Sequence, residues 1–195
     1  ILEDTVTRLA SASIRDALTG LFNRGHMQNL LDEEVRRLRR TEQAFCVALI
    51  DLDHFKHIND QHGHAVGDAA LKIFALVAQA ELAAIDTLAR WGGEEFLLLM
   101  PETELPEATQ RMSALQQRVQ QHDWSTLAPG LSLNFSAGLC QPDRQASVHL
   151  TLERADRALY QAKAQGRGAP CWPTQHEHPR QPLDRPTARH RPAHA

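Results

Sequence analysis

Cysteine is scarce in this chain of 195 residues. There are three, Cys46, Cys140 and Cys171, an odd number with no metal-type spacing. Cys46 and Cys140 sit inside apolar runs, which reads as buried thiols in a reducing, cytoplasmic setting. No apolar run approaches the ~20 residues that a membrane span needs, and nothing has the layout of a secretory signal peptide. A surplus of positive charge is missing too: 21 Lys and Arg against 24 Asp and Glu give a net charge of −3 and a pI of about 6.4. Total charge therefore carries no nucleic-acid footprint. An initiating Met is also absent; the chain starts at Ile1 and reads as a piece of something longer, with a sensor or membrane segment upstream.

What is present, 42% hydrophobic and 23% charged residues, suits one globular domain with trailing sequence. Its centre is Arg90-Trp91-Gly92-Gly93-Glu94-Glu95-Phe96, followed by the apolar run Leu97-Leu98-Leu99-Met100. The spacing predicts strands at Thr87–Trp91 and Glu95–Met100, with the two glycines turning between them at positive φ. Such a hairpin carries two carboxylates and bare backbone at its tip, which suits a hydrated divalent metal and a phosphate chain. Gly-Gly turns with charged neighbours are common, so the rest of the chain must supply the other parts of a nucleotide site.

A helix is expected to about Thr41, with Met27, Leu31, Val35 and Leu38 on one face. Phe45–Ile50 reads as a strand covered on both sides and stops at Asp51-Leu52-Asp53. Asp51 there is either a metal ligand or an N-cap. Four histidines follow (His54, His57, His62, His64), without the paired spacing of a structural zinc site. Asn59 and Asp68 offer an amide and a carboxylate, partners for the Watson–Crick edge of guanine; a carboxylate accepting from N1–H and N2–H₂ disfavours adenine. Asp68 doubles as a candidate N-cap for a helix to about Ala84. Thr103 is expected to cap a further helix with Pro106 in its first turn, and Leu131–Leu139 to form a strand. A last helix over 147–165 ends at Gly166. Lys163 and Arg167, four apart at that end, are dipole-matching charges or phosphate contacts. Residues 1–15 have heptad-like apolar spacing, read either as a frayed amphipathic end or as the last turns of a helix that brings a signal from a missing partner domain. Residues 170–195, rich in Pro, His and Arg, have the composition of a disordered tail.

This order of elements suits an α/β (α+β) sandwich of the ferredoxin-like or polymerase-palm type, a central antiparallel to mixed sheet flanked by helices. The segments Asp16–Arg24, Leu49–Asp60, Gly63–Asp68, Arg90–Phe96 and Ala155–Arg167 together resemble the GGDEF family of diguanylate cyclases, here with the signature as Gly92-Gly93-Glu94-Glu95-Phe96. The resemblance covers roughly residues 13 to 169. It implies condensation of two GTP molecules into cyclic di-GMP by a homodimer of GTP-loaded domains (residues 16–169), under an upstream sensor. By the same resemblance, Asp51, the Leu52 carbonyl and Glu94 are ligands of two Mg²⁺ ions, with Mn²⁺ able to stand in. Asn59 and Asp68 read guanine, and Lys56, Lys163 and Arg167 contact the triphosphate. Phe55, Gly92 and Gly93 lie along the nucleotide, and His64 lies near ribose or base. Glu94 or Glu95 assists removal of the 3′-hydroxyl proton. The family's inhibitory Arg-x-x-Asp is represented by Ala83-Ala84-Ile85-Asp86, without its Arg, which implies weak product inhibition. The rival readings are a catalytically weak nucleotide receptor or scaffold and a different nucleotidyl cyclase of the same fold.

Overall fold

The structure is a computed structural model that describes residues 14–166 and, as backbone, 170–171. Residues 1–13, 167–169 and 172–195 lie outside the described residues, and with them most of the expected N-terminal helix and tail, and Arg167. The elements are α1 (Arg24–Thr41), β1 (Phe45–Leu52), α2 (Phe55–His62), α3 (His64–Glu81), β2 (Thr87–Arg90), β3 (Glu95–Pro101), α4 (Leu105–Gln121), β4 (Phe135–Cys140), α5 (Val148–Ala164) and β5 (Pro170–Cys171). The strands form one sheet in the order β2-β3-β1-β4-β5. Each neighbouring pair among the first four is antiparallel, and β5 lies parallel on β4. This is the split βαβ arrangement expected, with β1 at the centre.

Alternation along β1 divides the core in two. Cys46, Ala48, Ile50 and Leu52 pack on one side with α3 and α4; Phe45, Val47 and Leu49 pack on the other with α1 and α5. On the first side Phe74 of α3 touches Phe96 of β3 and Phe135 of β4, with ring centroids 4.7 and 5.8 Å apart. Each such aromatic pair adds about 0.5–1.5 kcal/mol beyond its buried area. On the second side α5 comes so close to β4 that a Cβ at Gly138 would lie 2.0 Å from the Ala155 carbonyl oxygen. Both described cysteines are buried, and burial pushes their thiols up, Cys46 to about 12 and Cys140 to about 11.

Several local expectations need correction. The helix expected to begin at Asp68 begins one turn earlier, at His64, as α3, and a separate helix, α2, precedes it across Gly63 (φ 87°). Asp68 therefore stands inside α3 rather than at its cap, and neither Asp51 nor any other side chain caps α2. Thr103 does not cap α4: its buried hydroxyl donates to the Pro101 carbonyl, and the free Leu105 N–H donates to Gln141 instead. The strand expected from Leu131 pairs only from Phe135; Leu131 and Leu133 are buried as loop. Ordered backbone continues past residue 169, since Pro170 and Cys171 pair with Ala137 and Gly138. Gly92 and Gly93 are not at positive φ. A Cβ at Gly92 would stand 2.8 Å from Glu95 Oε2 and push that carboxylate aside.

Candidate active site

The alternation that builds the core also aims the acids. Asp51 falls on the same side of β1 as Phe45, Val47 and Leu49, and Glu95 on the same side of β3 as Leu97 and Leu99. The two are direct cross-strand partners. Both therefore face the layer that holds α5, and from its last turn Lys163 puts Nζ 2.9 Å from Asp51 Oδ1. Glu94 belongs to the hairpin tip beside them; its carbonyl accepts from the Leu52 N–H at 3.2 Å, tying the tip to the end of β1.

These carboxylates oppose one another. Burial, then the Asp51 charge, raises the Glu94 carboxyl above its ordinary value of 4.5, while Lys163 pulls the other way. Glu95 is raised for the same reasons, with Asp156 adding to the rise and Arg24 countering it. Arg24 is steadied over the Trp91 ring, 4.6 Å from its centroid. Acids that repel across two strand ends, with a lysine already between them, fit a divalent cation. Among the described residues no three His, Cys, Asp or Glu side chains form a ready-made metal cage. The expected ligand set, two carboxylates and the Leu52 carbonyl, does not require one.

The remaining predicted residues stand on α2, α3 and the hairpin tip. Phe55 is buried and Lys56 exposed in the first turn of α2; Asn59 follows one turn later. Exposed His64 opens α3, and exposed Asp68 lies one turn on. Gly93 has open space where a side chain would stand.

Sequence reasoning assigned no role to a pair that shapes the hairpin. Arg90 Nη1 lies 3.3 Å from both carboxylate oxygens of Asp16, while Nε and Nη2 donate to the Gly93 carbonyl at 3.2 and 2.8 Å. One guanidinium thus fastens the glycine turn to the segment before α1. Burial alone would raise the Asp16 carboxyl, but hydrogen bonds from Thr19 and the Arg90 charge outweigh it and hold the group below 3.8. Both residues stand in the quoted motifs, yet 74 positions apart.

Comparison with known proteins decides the family. Residues 13–169 match the family described as "Diguanylate cyclase, GGDEF domain". The chain belongs to that family. It is 39% identical over 155 residues to "Diguanylate cyclase DgcP" of Pseudomonas aeruginosa, covering 80% of this chain and 23% of that protein. To "Response regulator PleD" of Caulobacter vibrioides it is 36% identical over 174 residues, covering 86% of this chain and 38% of the relative. The chain thus spans well under half of either relative. Among solved structures, the coiled coil and GGDEF domain of DgcB from Caulobacter crescentus, in complex with c-di-GMP, aligns with a TM-score of 0.81 at 28% identity, covering 87% of this chain and 91% of that one. SiaD from Pseudomonas aeruginosa, in complex with its activator SiaC, aligns at 0.78 and 38% identity, covering 87% and 65%.

In this GGDEF domain the loop after α3 also has a definite structure. Asp86 is paired with Arg111 of α4 and accepts from the Ala83 N–H at 2.9 Å. Its carboxylate is 1% exposed. Burial raises it, against the pull of the Ala83 N–H and Arg111. A cavity of about 250 Å³ beside it is lined by Arg15, Phe22, Ala83 and Thr87, among others. No helix among the described residues is long and apolar enough to cross a membrane.

Proposed function

We propose that this domain is a cytoplasmic diguanylate cyclase, condensing two GTP molecules into cyclic di-GMP with release of two pyrophosphates. One observation carries the reading: Asp51 and Glu95 are cross-strand partners with Glu94 at the adjoining tip, and Lys163 closes on them from α5. That puts anion-binding and cation-binding groups side by side, as in-line phosphoryl chemistry requires. The family match and relatives named as diguanylate cyclases support it.

In each half-reaction the 3′-oxygen of one GTP attacks the α-phosphorus of the other. A P–O bond forms, the bridging α–β P–O bond breaks, and pyrophosphate leaves with the electron pair. Glu94 or Glu95 takes the hydroxyl proton. Asp51, the Leu52 carbonyl and Glu94 would hold two divalent ions (Mg²⁺, or Mn²⁺ in its place), which when bound would neutralise charge and acidify that hydroxyl. Asn59 and Asp68 read guanine, and Lys56, Lys163 and Arg167 take the phosphates. Phe55, Gly92 and Gly93 line the nucleotide, with His64 near ribose or base. Since each domain holds one GTP, ring closure needs two loaded domains face to face, brought together by a segment upstream of residue 16.

Feedback is weak in this reading. Ala83 offers no guanidinium, and Asp86, the surviving half of the inhibitory pair, is already engaged by Arg111. Incubating the protein with GTP and Mg²⁺ and analysing the mixture by mass spectrometry tests the function: cyclic di-GMP appears if the proposal is right. Unchanged GTP, with nucleotide nevertheless bound, would favour the receptor reading.

A further inference from the structure

Gly67 sits inside α3, where glycine is about 1 kcal/mol worse than alanine by helix propensity. It is buried and faces α2. A Cβ on it would stand 1.9 Å from Asn59 Oδ1, 3.0 Å from Asn59 Cγ and 3.3 Å from Phe55 Cζ. The main chain of Asn59 cannot retreat, because its carbonyl accepts the Gly63 N–H at 2.8 Å and so closes the end of α2. What can move is the carboxamide. The obstacle is the far end of a side chain with free rotamers, unlike at Gly138, where a Cβ would strike backbone of α5.

We infer that Gly67 is a positioning residue for guanine recognition: the missing side chain at 67 is the space in which the Asn59 carboxamide is held towards the base. This rests on the reading of Asn59 as a guanine contact. Gly67→Ala then leaves the fold intact and turns Asn59 aside. It weakens guanine nucleotides selectively and leaves adenine nucleotides unaffected, whereas a defect in helix packing would affect both.

The test is calorimetric titration of 3′-deoxy-GTP, which lacks the nucleophile, and of 3′-deoxy-ATP, both with Mg²⁺. The proteins are wild type, Gly67→Ala, Asn59→Ala and the double variant, each with its thermal unfolding curve. Losing a base hydrogen bond predicts about tenfold weaker 3′-deoxy-GTP binding for either single variant, no change for 3′-deoxy-ATP, and no further loss in the double variant. The unfolding temperature of Gly67→Ala stays at or above wild type. If Asn59→Ala binds normally, the base-contact reading of Asn59 falls and this inference with it. If Asn59→Ala is weakened but Gly67→Ala is not, the inference alone fails. It fails equally if Gly67→Ala weakens binding as much in the Asn59→Ala background, or melts early there, since the glycine would then serve packing.

Discussion

Lys163 Nζ lies 2.9 Å from Asp51 Oδ1, joining the last turn of α5 to the end of the central strand. That lysine offsets the repulsion at both Glu94 and Glu95, with Arg24 helping at Glu95. Replacing it with methionine leaves Glu94 without its counter-charge and Glu95 with only Arg24. The Glu94 and Glu95 carboxyls should then titrate higher than in wild type, followed by carboxyl NMR, and GTP binding should weaken. Unmoved titrations would show that the ion pair does not govern the site.

The same repulsion makes the site a source of instability. A carboxyl whose folded pKa is raised disfavours the folded state once pH climbs above its unfolded value, here about 4.5. Glu94→Gln should therefore raise stability at neutral pH by about 0.5 kcal/mol, kept small by solvent screening. The gain should fade as pH drops below about 4.5, where the wild-type carboxyl is protonated in both states. Denaturant melts of both proteins at several pH values give the comparison.

Asp16 has the opposite sign. Its folded pKa is depressed, so its contribution is present above 3.8 and is lost as pH falls through the lower folded value. Arg90→Ala should cost about 1–2 kcal/mol at neutral pH through lost charge-assisted hydrogen bonds. It should also loosen the Gly92–Gly93 turn, seen as faster amide exchange there. Asp16→Asn should match wild type in stability only in strong acid.

Gly138→Ala should damage the fold itself. A Cβ would come within 2.0 Å of the Ala155 oxygen and 2.2 Å of the Leu159 nitrogen, both backbone. Separating α5 from β4 to make room costs about 3 kcal/mol or more. Gly93→Ala meets open space and should melt like wild type. Thermal unfolding distinguishes the two, and equal melting temperatures would contradict the packing described.

What was legible in the sequence was whatever repeats locally. Met27, Leu31, Val35 and Leu38 mark α1 by their spacing, and all four are buried. The apolar run Phe45–Ile50 marks β1 because both of its faces are covered. Recognition of the five motifs carried the family, and strand alternation is enough to bring Asp51 and Glu95 to one side. The rest depended on partners far along the chain. Thr103 looks like a cap until Pro101 and Gln141 are seen around it. Gly92 and Gly93 look like a positive-φ turn, yet neither takes positive φ in the folded hairpin. Helix α2 was hidden because it is only eight residues long and buries just Phe55 and Ile58, too little to set a period.

Asp86 offers a check on regulation. With its carboxylate held by Arg111 and Ala at position 83, calorimetric titration with cyclic di-GMP should show no tight binding outside the active site. Tight binding that Asp86→Ala removes would contradict this.

The most direct test of the central claim is the rate of cyclic di-GMP formation from GTP and Mg²⁺ by wild-type protein and by Glu94→Ala, with matched unfolding curves. The account predicts product from wild type and none from a folded Glu94→Ala protein. Product formed by Glu94→Ala at a rate near wild type would contradict it.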